Sequence, residues 1–309
     1  MDLTVGSVSN HIKRIAIPAS IGFFFNTMYN VVDTFYAGQI STDALAALSL
    51  SFPIFFIILA MGSGISQGSN ALISNTLGEG RKEKAKKYSR QAISFGFIVA
   101  IIITCIGFAI SPFLFRFLGA KEEYLQLSLD YMNVILLGTI FFLTQSILNA
   151  SLLAQGDSKS FRNVLIVGFF MNLLFNPILM YGFGPIPALG IKGISLATVL
   201  IQFIGTIYMG YKVSKTKLWN EFNPKNLIPM KSYYKDIAHQ GFPASLNMMT
   251  VALGIFIITF FASKFGNSGV AAYGIATRVE QMILVPSIGL NMALISLELP
   301  VLSIRIQAM

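Results

Sequence analysis

Long apolar runs separated by short polar gaps make up most of the chain. A helix needs roughly 20 apolar residues to cross a bilayer. Eight such runs are found, near residues 15–38, 49–74, 91–115, 126–154, 161–182, 193–213, 239–263 and 270–296. The gaps between them alternate in charge. Sixteen Lys and Arg fall in one set, which holds Lys13, Arg14, the 81–90 stretch, Lys159, Arg162 and the 212–235 stretch; the other holds four, Arg116, Lys121, Lys192 and Lys264. The positive-inside rule then predicts a multi-pass protein of the plasma (inner) membrane with its amino terminus in the cytoplasm. The opening MDLTVGSVSN lacks a basic head and a cleavage site, so no removable targeting segment is expected.

The polar gap from Lys212 to Asp236 divides the runs into six and two. With Trp219, Asn223-Pro224 and six lysines it reads as a cytoplasmic linker carrying an interfacial aromatic rather than a buried element. The segment after the linker repeats the start of the chain. Pro243-Ala244-Ser245 matches Pro18-Ala19-Ser20 at an offset of 225, and the same offset pairs Thr259-Phe260 with Thr34-Phe35, Ala271-Ala272 with Ala46-Ala47, and Gly289 with Gly64. A same-orientation repeat of this kind is a transporter architecture. The predicted fold is therefore an all-α polytopic membrane protein, with a six-helix amino-terminal lobe (residues 1–212), a linker (213–236), the first two helices of an incomplete second lobe (237–296) and an atypical tail (297–309).

Composition supports this class: mean hydropathy is +0.69, with 54% apolar and 11% charged residues. The net charge of +9 sits in the gaps between spans, so nucleic acid is not an expected partner. The single Cys105 lies in an apolar run and is read as packing. The 27 Phe and 13 Met supply material for a promiscuous apolar cavity as well as for lipid-facing surface.

Polar groups inside spans are costly, so they are the first place to look for function. Asp33 stands out as an acid in the middle of the first run. An acid in a dry site is suited to gaining and losing a proton, which a proton-coupled carrier requires. Asn26 and Asn30 share its helix face at spacings of three and four, with Tyr36 close by, and such a face must look at protein or water. Asn149 precedes the LLAQGD turn, Asn172 and Asn176 lie one turn apart before Pro177, and Thr198 falls in GISLAT. Each Asn also serves as interhelical glue on an equally good reading. Glu280, with Arg278 and Gln281, forms a second polar focus in which Arg278 pairs locally with Glu280.

These segments resemble the multidrug and toxic compound extrusion (MATE) transporters. The resemblance rests on VVDTFYAGQ, LISNTLGEGRKEKA, LLAQGD, MNLLFNPILMYGFG, GIKGISLAT, GFPASLN and AAYGIATRVEQMILVPSIGLNMA, in that order over about residues 10–296. It implies twelve helices in two lobes and export of cationic or amphipathic compounds in exchange for protons or sodium. It also implies that Asp33 is the cation-binding acid of the first lobe, with Asn149, Asn172 and Thr198 as polar partners. Asn176 stands where many members carry Asp, and Met248 to Ala252, aligned with a sodium-binding Glu of another branch, contains no acid. Proton coupling through Asp33 is therefore expected ahead of sodium. Leu297 to Met309 departs from the family, and four spans are missing, as in a truncated product.

No GxxxxGK[ST] loop and no acidic pair for magnesium occurs in the basic gaps, which argues against ATP-driven transport, an enzyme or an organic cofactor. The expected partners are the bilayer and a small amphipathic or cationic substrate. Two rival readings remain. A lipid-linked precursor flippase would need several cavity cations, whereas a non-transporting membrane remnant would account for the missing spans.

Overall fold

The computed structural model describes residues 8–219 and 224–284. Seven long helices run in order: α1 (Val8–Ile40), α2 (Thr42–Gly78), α3 (Lys82–Phe117), α4 (Glu122–Leu153), α5 (Lys159–Tyr181), α6 (Ile191–Ser214) and α7 (Lys231–Ser263). An eighth, α8, is helical over residues 266–284. The rest of the expected eighth span and the 297–309 tail lie outside the described residues. Among those described, α2 to α7 are long and apolar enough to cross a membrane. The 33 residues of α1 also have the length to span.

The exterior of these helices is apolar. Ile102 and Phe113 on α3, Leu174 on α5, Ile207 on α6 and Phe261 on α7 are exposed, as a lipid-facing surface requires. Cys105 is exposed as well, so it is not the buried packing residue expected from the sequence. Inside, α2 is central and touches α1, α3, α4 and α7, while α5 packs between α1 and α6. Small hydroxyls bridge helices where lipid offers no hydrogen bond: Ser66 donates to the Ser146 carbonyl (2.8 Å), Thr104 to that of Leu136 (2.9 Å) and Thr206 to that of Phe141 (3.1 Å).

Where α2 crosses α7, missing side chains permit the contact. A Cβ on Gly68 would fall 2.6 Å from the Gly241 nitrogen, and one on Gly241 would fall 2.7 Å from the Gly64 oxygen. The backbones touch directly, as small-residue seams allow in membranes.

The repeat seen in the sequence is present as structure. Subtracting the 225-residue offset from α7 gives residues 6–38, against Val8–Ile40 for α1. By the same shift α8 begins at residue 41, next to the start of α2 at Thr42. Asn267, at the start of α8, donates to Asp43 near the start of α2 (2.8 Å), tying the two copies together.

The linker does not hang free. Buried Gln91 on α3 donates to the carbonyls of Asn226 and Ile228 and accepts from the Met230 amide, all at 2.8 Å. Ser94 donates to the Leu227 carbonyl (2.6 Å), and Tyr88 donates to Asp236 (2.6 Å). Trp219 is partly buried and donates to Ser89 (2.9 Å), so it packs against α3. Hydropathy alone cannot foresee this, because the partners of the linker are side chains of α3.

Candidate functional site

Asp33 is 5% exposed and points from α1 towards α5 and α6. Its Oδ1 accepts from Asn172 Nδ2 and Asn176 Nδ2, each at 2.8 Å, and its Oδ2 accepts from Thr198 Oγ1 at 3.3 Å. The four-residue spacing of Asn172 and Asn176 stacks both amides on one face of α5, and Asn176 Nδ2 also reaches Asn172 Oδ1 (3.3 Å). Gly193 lets α6 start hard against the end of α5: a Cβ there would lie 2.8 Å from the Met180 nitrogen. That close approach brings Thr198, little more than one turn later, level with the carboxylate. Among these groups Asn176 Oδ1 is buried with no partner.

Asp33 and Thr198 form part of the wall of a cavity of about 350 Å³ bounded by α1, α2, α4, α5, α6 and α8, with Asn172 and Asn176 behind them. Its apolar lining is rich in aromatics, with Phe23, Phe52, Phe55 and Phe142, and among the described residues no Met lines it. Its polar lining includes Asn26, Asn30, Gln145, Gln202 and Gln281, with Tyr29 and Tyr131 near the acid. A dry aromatic space with a few convergent polar groups is the usual form of a small-molecule site.

The structure brings some of the residues expected from the sequence together and leaves others apart. Asp33, Asn172, Asn176 and Thr198 meet, and Asn26 and Asn30 line the same cavity as Asp33. Asn149 does not join them: it lies on α4 eighteen residues beyond Tyr131, some 27 Å along a helix axis, and is not in the lining. Tyr36 packs edge-on against Phe35 and towards the core, outside the lining. Glu280 is exposed and faces away from the cavity.

Arg278 is the residue that sequence reasoning misplaced. It is 3% exposed and lines the cavity instead of pairing with Glu280. Its Nε donates to Thr34 Oγ1 and its Nη1 to the Gly274 carbonyl (2.6 Å), and the guanidinium lies 4.1 Å from the Phe52 ring centre. The rule that singled out Asp33, an ionisable group inside an apolar span, applied equally to Arg278.

Comparison with known proteins places the fold in a family. The MatE family profile matches residues 18–178 and 243–297. The "FAD transporter" of Shewanella oneidensis is 28% identical, the match covering 91% of this chain and 62% of that protein. The "Probable multidrug resistance protein YoeA" of Bacillus subtilis is 26% identical over 93% of this chain and 63% of its own length. A solved structure of a multidrug resistance MATE family transporter of the MOP superfamily, in an inward-facing conformation, superposes with a TM-score of 0.78 at 26% identity, covering 86% of this chain and 60% of that one. The chain thus spans less than two thirds of the length of these relatives. With the profile covering most of the chain and both repeat starts in register, the chain belongs to the MatE family of multidrug and toxic compound extrusion transporters.

Proposed function

We propose that this chain is the substrate- and cation-binding part of a secondary active exporter, which expels amphipathic small molecules in exchange for protons taken up at Asp33. The observation that carries the reading is the placement of a buried carboxylate, gripped by three donors from α5 and α6, on the wall of an aromatic cavity. The names of the relatives, a transporter of FAD and a probable multidrug resistance protein, support organic substrates.

The mechanism rests on the inventory of donors and acceptors. Ionised Asp33 only accepts, and the two amides and the Thr198 hydroxyl serve it. Once protonated it becomes a donor on one oxygen, and Asn176 Oδ1, an acceptor with no partner, is beside it. The clamp between α1 and α5–α6 then weakens, and α1 repacks to close the chamber on the substrate. A ligand drives such a switch only through different affinity for the two states, so proton and substrate must oppose each other across α1. A proton needs only the carboxylate, whereas sodium would need the amides of Asn172 and Asn176, which now turn N–H groups towards Asp33, to turn their oxygens instead. The sixteen basic residues of one set of gaps support a cytoplasmic amino terminus. Residues 1–212 form the coupling lobe on this reading, and residues 237–296 open a second one.

A lipid-linked precursor flippase would line its chamber with several cations, whereas Arg278 is the single Lys or Arg among the lining residues described. The test is efflux of a fluorescent amphipathic dye from proteoliposomes holding the 309-residue chain under an imposed proton gradient. Asp33→Asn should retain the helical fold and lose gradient-driven efflux by about tenfold or more, the size of one ionic interaction removed from a dry site. An unchanged rate in Asp33→Asn overturns proton coupling at this residue. A wild-type chain that moves no dye supports the remnant reading.

A further inference from the structure

Arg278 is an unusual group to find inside an efflux chamber. It is nearly fully buried, and two of its nitrogens are tied down, to Thr34 and to the Gly274 carbonyl. The third, Nη2, is buried with no partner. No ion pair among the described residues involves it. A guanidinium is always charged and presents donors in a flat fork that matches a carboxylate or phosphate. Leaving one prong of that fork dry and unused costs free energy, unless a ligand fills it. The Phe52 face beneath the guanidinium and the other lining aromatics offer the apolar counterpart for the body of such a ligand.

We infer that Arg278 is an anion anchor, and that the chamber takes amphipathic molecules carrying a carboxylate or phosphate, the acid group at Arg278 and an aromatic body among Phe52, Phe55 and Phe142. This rests on the reading of the cavity as a substrate chamber and narrows its substrate class. The acid nearest in the chamber, Asp33, is turned towards its donors on α5 and α6, while Thr34, next in sequence, holds Arg278 from a different side of α1. Repacking of α1 on protonation of Asp33 moves Thr34 as well. That supplies a route by which a bound proton weakens the hold on the anion, even though the two charges alone would favour binding together.

Equilibrium binding of three probes with one ring system tests this: 1-pyrenebutyrate (anionic), 1-pyrenebutanol (neutral) and a pyrenebutyl trimethylammonium salt (cationic), each titrated against the chain in phosphatidylcholine nanodiscs. Wild type should prefer the anion, and Arg278→Gln should weaken pyrenebutyrate by about tenfold or more while leaving the alcohol within twofold. Arg278→Lys should recover part of the preference for the anion, because charge remains while the fork is lost. Equal loss for anion and alcohol in Arg278→Gln, or no loss for either, overturns the anchor. Nanodiscs containing phosphatidylglycerol separate the two sources of the anion. If the lipid displaces pyrenebutyrate from wild type but not from Arg278→Gln, the anion is a headgroup; if not, it is a free solute, and either result keeps the site. Binding is scored without transport, so failure of the anchor leaves the exporter reading intact, whereas saturable binding of none of the probes removes the chamber reading with it.

Discussion

A carboxylate taken out of water loses several kcal/mol of solvation, and charge-assisted hydrogen bonds of about 1.5–3 kcal/mol each are what offset the loss. Asp33 has three of them, so its ionised form depends on every member of the clamp. Asn176→Leu removes one donor at 2.8 Å and keeps the volume, and should cost about 1–3 kcal/mol of stability together with most of the proton-driven efflux. Thermal unfolding in detergent and the dye assay check the two effects separately; a variant as stable and as active as wild type would show that the amide is only filler. Much of this clamp was legible in the sequence, because spacings of three and four fix which side chains share a helix face before any packing is known. Asn149 and Arg278 were not legible. Where a residue lies along the depth of the bundle, and which neighbour it meets, is set by how helices slide past one another, and periodicity within one helix carries no such information.

Among the elements, the crossing of α2 and α7 and the start of α5 make separate predictions. Gly241→Val places a branched side chain where a first carbon already falls 2.7 Å from the Gly64 oxygen. It should destabilise the packed arrangement by about 1–3 kcal/mol, read as a lower unfolding temperature, and an unchanged temperature would show that α7 is free to shift away. Asp157, in the turn between α4 and α5, accepts from the amides of Lys159 and Ser160 (3.0 Å each) and from the Ser160 hydroxyl (2.6 Å). Partial burial pushes its carboxyl up, but these bonds with Ser160 and Lys159 outweigh it and hold the group below the ordinary carboxylate range. Because the folded value is the lower one, the stabilisation is present above the ordinary carboxylate range and lost as pH falls through the folded value. Asp157→Ala should cost about 0.5–2 kcal/mol at neutral pH, and the gap to wild type should close in acid; a pH-independent gap would contradict the cap. The centre of each of the first seven spans could be read from hydropathy, although α3 begins at Lys82 and α7 at Lys231, well before the apolar runs themselves. The glycine seam and the docked linker could not, since both depend on two distant segments meeting.

On the scale of the whole molecule, a six-helix lobe carries the acid, and the opening helices of its repeat bring the arginine to the same chamber. The offset of 225 residues made the repeat visible in sequence because it preserves residues within the helices, such as Pro18 in α1 and Pro243 in α7, while the cavity between the copies appeared only once α8 was packed against α1 and α2. The central claim is that Asp33 takes up and releases a proton inside the folded bundle. Infrared difference spectroscopy of the membrane-embedded chain, acidified from neutral pH, tests it directly. A protonated-carboxyl band should appear in wild type and be missing from Asp33→Asn. Superimposable difference spectra from the two proteins would contradict it.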